Sequence, residues 1–285
     1  MPAEGACDQA AGLRGASASP RCRTLAVASG KGGVGKTSLA VNLALAWAQA
    51  GRRTCLLDGD LGLANVDVLL NLHPPYSLRD VVAGTRRLED VMIEGPAGLR
   101  VIPSASGVEA LADLDAEARS ALLSELRGLD DMAEIAVVDT GAGISRTVLS
   151  LILATDEAVI VTTPEPTALT DAYALVKVLT QRRPGLPLYL AVNQVAHAAQ
   201  AREVHGHMER IVRRFLRREI PLAGGVPRDG CVERAVREQR PFVLYFPYAR
   251  ASEAIQALAR TLEARRATPD APGQFWTRLA AMGGS

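Results

Sequence analysis

A glycine-rich segment directly follows the first strongly apolar run of the chain. The run at residues 24–29 reads TLAVAS, and the segment at residues 30–38 reads GKGGVGKTS. The spacing Gly-x4-Gly-Lys-Thr, placed between an apolar strand and a helix, is typical of a loop that binds nucleotide phosphates. Its glycines let backbone N–H groups surround phosphate oxygens, and the following helix adds the positive end of its dipole. The predicted nucleotide-binding residues of this loop are Gly30, Lys31, Gly32, Gly33, Val34, Gly35, Lys36, Thr37 and Ser38.

The loop contains two lysines, although phosphate binding needs only one. Lys36 stands where a lysine reaches the outer phosphates, and the hydroxyl of Thr37 is placed to bind Mg²⁺. Lys31 has no role in the ordinary form of this loop, so its presence needs a separate explanation. A glycine-rich turn with accidental lysines is the alternative interpretation, but the agreement of motif and context favours a phosphate-binding loop.

Short apolar runs alternate with helical patterns through most of the chain. This alternation predicts right-handed crossovers and one large α/β domain with a doubly wound, mostly parallel sheet flanked by helices. After residue 221 we expect a short Gly/Pro segment, and residues 242–246 form a further apolar run. The predicted strands are residues 24–29, 54–58, 99–102, 135–139, 158–163 and 188–193, and the predicted helices are residues 36–50, 108–126, 168–180, 202–216, 231–239 and 251–264.

Three aspartates stand at the carboxyl ends of predicted strands. Asp58 and Asp60 end the run LLDGD, and Asp139 ends the run IAVVD. Ligands of doubly wound folds bind at this edge of the sheet, and alternate side chains of one strand point the same way. We therefore expect these carboxylates to face a nucleotide and its metal. The alternative is that each aspartate caps the turn after its strand.

Composition limits the classes of protein to which the chain can belong. The 285 residues carry 32 Lys and Arg against 31 Asp and Glu, so no net positive field attracts nucleic acid, and we expect no direct nucleic-acid partner. The four cysteines lack the spacing of a zinc or iron–sulfur site, no signal peptide is apparent, and no apolar run approaches the ~20 residues of a membrane span. We expect a cytoplasmic protein. The predicted parts are an N-terminal extension at residues 1–22, a nucleotide-binding domain at residues 23–266, and a linker and short tail at residues 267–285.

The lysine after the first glycine, the strand end DGD at residues 58–60 and the run VDTGAG at residues 138–143 occur together. This combination resembles the MinD/ParA class of P-loop ATPases with a deviant Walker A loop, over roughly residues 23–265. The resemblance implies an ATP-dependent homodimer in which Lys31 crosses the interface to the phosphates held by the partner subunit. ATP then acts as part of the contact between subunits, and its hydrolysis releases them.

The resemblance also implies roles for individual residues. Asp60, with Lys31 and Lys36, is implied to be catalytic, since its position orients or activates the attacking water. Asp58 and Asp139 are implied to hold water molecules on Mg²⁺, with Thr37 as a direct ligand. Asn193 is implied to read adenine, whose edge an amide can both donate to and accept from. The loop that would flank the base contributes Pro227, Arg228 and Asp229.

Two segments are similar to the FlhG (FleN) branch of this class, which controls flagellar number and placement. One is DLGLANVDVLL at residues 60–70, and the other is DQAAGLR at residues 8–14. In that branch the second segment activates the signal-recognition-type GTPase FlhF, and Gln9 would orient the water that attacks GTP. Flagellar switch proteins or a flagellar transcription activator are further partners that the resemblance implies. The partner-activating residues implied in this way are Asp8, Gln9, Gly12, Leu13 and Arg14.

The C-terminal tail has an apolar helical face, formed by Phe275, Trp276, Leu279 and Met282. It resembles the membrane-targeting helix of MinD and FlhG, and it implies a protein that joins the membrane peripherally in its ATP-bound state. One copy of so short a helix binds weakly, whereas the two copies of a dimer gain effective concentration. The alternative is that the face docks on the protein's own domain.

The sequence also fits functions other than flagellar regulation. A MinD- or ParA-type ATPase that positions division proteins or DNA is the nearest alternative to a flagellar regulator, although the tail and the neutral charge disfavour a DNA-coating protein. A nitrogenase-like iron protein is excluded by the cysteine positions. A binding module without turnover also fits, because Asp60 indicates capacity for hydrolysis and not its rate.

Overall fold

The computed structural model describes residues 22–60, 65–103, 132–265 and 274–283. The strands are β1 (Arg23–Ser29), β2 (Thr54–Gly59), β3 (Ile93–Glu94), β4 (Arg100–Ile102), β5 (Ile135–Ala142), β6 (Glu157–Thr162), β7 (Leu188–Val195) and β8 (Leu222–Pro227). The helices are α1 (Lys36–Gln49), α2 (Val66–Leu70), α3 (Leu78–Val82), α4 (Leu88–Val91), α5 (Arg146–Ala154), α6 (Pro166–Arg182), α7 (Ala198–Leu216), α8 (Gly230–Arg237), α9 (Phe242–Tyr245), α10 (Arg250–Ala264) and α11 (Phe275–Gly283).

The eight strands form one sheet in the order β3-β4-β2-β5-β1-β6-β7-β8. Every neighbouring pair is parallel except β3 and β4, which are antiparallel. The central strand β1 lies between β5 and β6, so the loop after β1 opens at the middle of the sheet edge. The predicted doubly wound, mostly parallel α/β fold is confirmed.

Both faces of the sheet are covered, which explains the continuous apolar runs of the strands. Along β1, Leu25 and Val27 join the core under α1 and α10, while Ala26 and Ala28 join the core under α5, α6 and α7. All seven residues of β1 are buried. The site therefore rests on rigid, fully packed strands. Among the described residues, no helix has the length and apolarity needed to cross a bilayer.

The structure corrects several sequence predictions. The Gly/Pro segment after residue 221 is the edge strand β8, whose Gly225 lies so close to α7 that an added Cβ would meet Ala201 Cβ at 2.4 Å. The close approach of the β8 backbone to α7 thus explains why a strand contains glycines that the sequence suggests belong to a turn. The apolar run at residues 242–246, for which the sequence predicts no particular element, is mostly the short helix α9. Strand β5 extends beyond Asp139 to Ala142, and the short strand β3 is not predicted from the sequence. The helix predicted at residues 108–126 lies outside the described residues.

Candidate nucleotide site

The glycine-rich loop joins β1 to α1 at the carboxyl edge of the sheet. Two of its glycines are required by geometry. A Cβ on Gly30 would meet the backbone oxygen of Asp171 at 2.2 Å, so the loop can pack this closely against α6 only without a side chain. Gly35 has φ +83°, and a Cβ there would lie 2.3 Å from Asn193 Nδ2. The left-handed backbone and the lack of space both demand glycine at this position.

Lys36 begins α1 and is buried, with 7% of its side chain exposed. Its Nζ lies 2.7 Å from Asp139 Oδ1 and 3.2 Å from Thr37 Oγ1. Burial leaves the ammonium group no water to replace a lost partner, so the cation needs an anion at this point. Asp139 supplies that anion here, and a phosphate oxygen can take its place.

Asp58 and Asp139 lie opposite each other on the adjacent strands β2 and β5. Burial, reinforced by the nearby Asp139 charge, raises the pKa of Asp58 to about 7, although its carboxylate accepts hydrogen bonds from the backbone N–H groups of Asp60 and Val66. Burial also raises the pKa of Asp139, and the Lys36 ammonium opposes this rise. The pair concentrates negative charge beside the phosphate loop, where a cation would stabilise it.

The residues at this point fit Mg²⁺. Asp139 Oδ2 is buried and has no hydrogen-bond partner among the described residues, while its other carboxylate oxygen contacts Lys36. The Thr37 hydroxyl and the Asp58 carboxylate supply further oxygen donors, the type that Mg²⁺ prefers. The described residues hold no cluster of three or more His, Cys, Asp or Glu that would form a metal site alone. Such a donor set suits an ion whose remaining coordination positions are filled by water and phosphate oxygens.

Asp60 follows β2 at the same edge and is partly buried. A methyl group on Gly141 would lie 3.8 Å from Asp60 Oδ1, which places this carboxylate beside the extended end of β5. The structure thus brings the three predicted aspartates together, with Asp60 the most accessible of them. Residues 61–64 of the segment similar to FlhG lie outside the described residues.

Lys31 contacts residues at the start of α6. Its Nζ lies 3.0 Å from Thr167 Oγ1 and 3.5 Å from Glu165 Oε2, both at the start of α6. The Lys31 and Glu165 side chains are 41% and 65% exposed, so this ion pair is weak and easily exchanged for another partner. Sequence reasoning did not find Glu165 or Thr167, because only the fold brings α6 beside the loop.

A cavity of about 540 Å³ adjoins the loop on the β7–β8 side, and its volume suits a purine nucleoside. The predicted residues Asn193, Pro227, Arg228 and Asp229 line it, as do Gly35 and Ser38 of the loop. Asn193 Nδ2 also donates a hydrogen bond to Val34 O at 2.8 Å, so this amide supports the loop. Sequence reasoning missed the apolar walls of the cavity, which are Leu39, Val226, Val232, Val236, Phe242 and Ile255.

Asp229 has a structural role at the cavity. It caps α8, and its carboxylate accepts hydrogen bonds from Cys231 N at 2.9 Å and Ala251 N at 3.2 Å. Burial alone would raise the pKa of this carboxyl, but the backbone donors outweigh it and lower the pKa. Asp229 is therefore a charged anchor that fixes the loop after β8 against α8 and α10.

The tail helix α11 docks on the domain. Phe275, Trp276 and Leu279 are at most 4% exposed and pack with α5 and the strands β2 and β5, and Met282 is partly buried. Arg278, off the apolar face, donates hydrogen bonds to Ala154 O at 3.3 Å and Asp156 Oδ1 at 3.0 Å. The structure therefore shows the docked alternative. The predicted partner-activating residues at positions 8–14 lie outside the described residues.

Comparison with known proteins agrees with this geometry. Residues 25–242 match the model of the CobQ/CobB/MinD/ParA nucleotide binding domain. The chain is 42% identical over 242 residues to the antiactivator FleN of Pseudomonas aeruginosa, which covers 85% of this chain and 86% of FleN. It is 32% identical to the flagellum site-determining protein YlxH of Helicobacter pylori, covering 86% of this chain and 83% of YlxH.

Among solved structures, the septum site-determining protein MinD of Pyrococcus horikoshii, complexed with Mg-ADP, superimposes with a TM-score of 0.69 at 26% identity. The match covers 85% of this chain and 96% of that one. The matched family model spans the phosphate loop, the three aspartates and the base cavity up to Phe242. The chain therefore belongs to the CobQ/CobB/MinD/ParA family of nucleotide-binding proteins, within which it is similar to FleN.

Proposed function

We propose that this chain is an ATP-dependent dimerising switch that hydrolyses ATP slowly and regulates flagellar number or placement. The observation that carries the proposal is the buried Lys36–Asp139 pair, with one carboxylate oxygen lacking a partner, beside a purine-sized cavity. Similarity to FleN and YlxH supports the flagellar role, and the Mg-ADP complex of a MinD relative supports the nucleotide.

Nucleotide binding would exchange the partners of Lys36. With nucleotide bound, Lys36 would be able to contact phosphate oxygens in place of Asp139 Oδ1, and Asp139 and Asp58 would be able to hold Mg²⁺ through water. The ion, when bound, neutralises charge on the phosphates. Because Lys36, Asp58 and Asp139 are buried at a helix start and on neighbouring strands, this exchange would need little movement of the backbone.

Hydrolysis requires a group that orients the attacking water. Asp60 is the accessible carboxylate of the three, and it lies at the edge where a γ-phosphate would point. Asp60→Ala is expected to bind Mg-ATP with nearly parental affinity and to release phosphate at least about a hundredfold more slowly, in the range of a lost general base. Parental phosphate release in this variant would show that hydrolysis does not depend on Asp60, and a parent protein that binds Mg-ATP without releasing phosphate would support a binding module without turnover.

The dimer would depend on Lys31. Its exposed, weakly paired ammonium is free to leave Glu165 and Thr167 for the phosphates held by a partner subunit. A charge-assisted hydrogen bond of this kind forms only when two subunits face each other across nucleotide. In this scheme the protein is cytoplasmic, and the dimer joins the membrane peripherally when α11 leaves its docking site.

The partner proposal concerns residues 8–14. We infer that Asp8, Gln9, Gly12, Leu13 and Arg14 activate an FlhF-like GTPase, on the strength of the sequence similarity alone. GTP hydrolysis by FlhF with a peptide of residues 1–20 tests this, with a Gln9→Ala peptide as control. Stimulation by the parental peptide alone is expected, and an inert parental peptide would remove the proposal. Contacts with flagellar switch proteins or a flagellar transcription activator would then follow from the ATP-bound dimer.

A further inference from the structure

The backbone of β7 contains an unusual residue beside the base cavity. Gln194 has φ +58°, in the left-handed region that a residue with a Cβ rarely adopts. The other described non-glycine residues with positive φ, which are Asn71, Ala97, Arg217 and Gln239, lie in turns or at helix ends. Gln194 alone among them lies within a strand.

This conformation changes the direction of two side chains. Val192 pairs with Gly225 and Val195 pairs with Pro227, so β7 contains one residue more than β8 between these points. Such a bulge breaks the alternation of a strand and redirects side chains. As a result, the successive residues Asn193 and Gln194 both line the cavity, between the buried Val192 and Val195.

The two amides differ in how they are bound. Asn193 Nδ2 donates to Val34 O, and because a carbonyl only accepts, this contact fixes which end of the Asn193 amide faces the loop. The Gln194 side chain has no hydrogen-bond partner among the described residues and is partly exposed. It also borders a second cavity of about 330 Å³, next to Arg228. Its amide is therefore free to reach a ligand in the base cavity.

We propose that Gln194 is a second purine-binding residue, which hydrogen-bonds the edge of the base beside Asn193. The strained backbone is maintained because it presents a second amide at this point. A pair of amides can offer an acceptor to the 6-amino group of adenine and a donor to a ring nitrogen. Discrimination against guanine would fall to Asn193, whose amide is fixed by the Val34 carbonyl, because the Gln194 amide can turn to present either its oxygen or its nitrogen. This inference rests on the proposed ATP-binding function.

The test is calorimetric titration of the full-length protein with Mg-ATP and Mg-GTP. Gln194→Gly relieves the backbone and removes the amide, and Gln194→Met keeps the Cβ and much of the side-chain volume but removes the hydrogen bond. Both are expected to bind Mg-ATP about tenfold more weakly, as for one lost hydrogen bond, while the preference for ATP over GTP changes much less because Asn193 is intact. Gln239→Gly is the matched control, since it also replaces a glutamine at positive φ (+53°) but outside the cavity lining.

The outcomes separate the two proposals. The control is expected to bind like the parent, and both glycine variants are expected to unfold at parental or higher denaturant concentration. Parental affinity for Mg-ATP in both Gln194 variants would overturn this inference and leave the proposed function intact. A parent protein that binds no Mg-ATP would overturn the proposed function, and this inference with it.

Discussion

Removal of the Lys36 charge tests the electrostatics of the site most directly. Lys36 Nζ and Asp139 Oδ1 are 2.7 Å apart, with 7% and 1% of their side chains exposed. Lys36→Met keeps most of the side-chain volume but leaves a buried carboxylate without its cation. Breaking a buried pair in this way costs about 3–5 kcal/mol, whereas replacing both partners with uncharged groups is close to neutral. We expect Lys36→Met to lower the free energy of unfolding by about 3–5 kcal/mol, and Lys36→Met/Asp139→Asn to recover most of this loss.

The assay is urea unfolding of the nucleotide-free protein at pH 7.5, with the two single variants and the double variant forming a cycle. Burial raises the pKa of Asp139, so without Lys36 this carboxylate can take up a proton as the pH falls. The loss of stability caused by Lys36→Met should therefore be smaller at pH 5 than at pH 7.5. A Lys36→Met variant within about 1 kcal/mol of the parent at pH 7.5 would show that Lys36 and Asp139 do not form a buried charged pair.

Three further predictions concern the carboxylates, the loop and the tail. The pKa of Asp58 in the folded protein, about 7, lies above its ordinary value, so the stability that protonated Asp58 contributes is present at about pH 4 and is lost as pH rises towards 7. In urea titrations without nucleotide, Asp58→Asn should therefore lose less stability than the parent between pH 4 and pH 7. An equal loss in both proteins would contradict the raised pKa of Asp58. Gly35→Ala should weaken Mg-ATP binding at least tenfold by calorimetry, because its Cβ would collide with Asn193, whereas Gly33→Ala, at φ +79° with no atom within 4 Å, should show only backbone strain. Arg278→Ala should loosen the docked tail and increase sedimentation with anionic vesicles in the absence of ATP, and unchanged sedimentation would argue that Arg278 does not hold α11.

Local motifs explain which parts of the site the sequence revealed. The phosphate loop is contiguous, and Asp58 and Asp139 each end an apolar run of the sequence, so parallel pairing of these runs predicts that the two carboxylates meet. Asn193 likewise ends an apolar run, although the sequence does not predict its bond to the Val34 carbonyl. Such features depend on strand order and hydrophobic pattern, both of which the sequence carries.

The missed features depend on contacts between distant segments. The sequence does not predict strand β8 because glycines usually indicate a turn. Gly225 is needed there because the strand packs too close to α7 for a Cβ. The positive φ of Gln194 arises from register between β7 and β8, which no local pattern encodes. An amphipathic tail has the same pattern whether it contacts lipid or the protein, so only the fold shows Phe275, Trp276 and Leu279 docked.

We propose that two copies of this chain close around ATP through Lys31. Light-scattering mass of the full-length protein with Mg-ATP measures this directly, with Lys31→Ala as the test variant and Lys177→Ala, which changes an exposed lysine on α6, as the matched control. We expect a dimer for the parent and the control and a monomer for Lys31→Ala, and all three are expected to be monomers without nucleotide. A parent that binds ATP and remains a monomer, or a Lys31→Ala variant that dimerises like the parent, would contradict it.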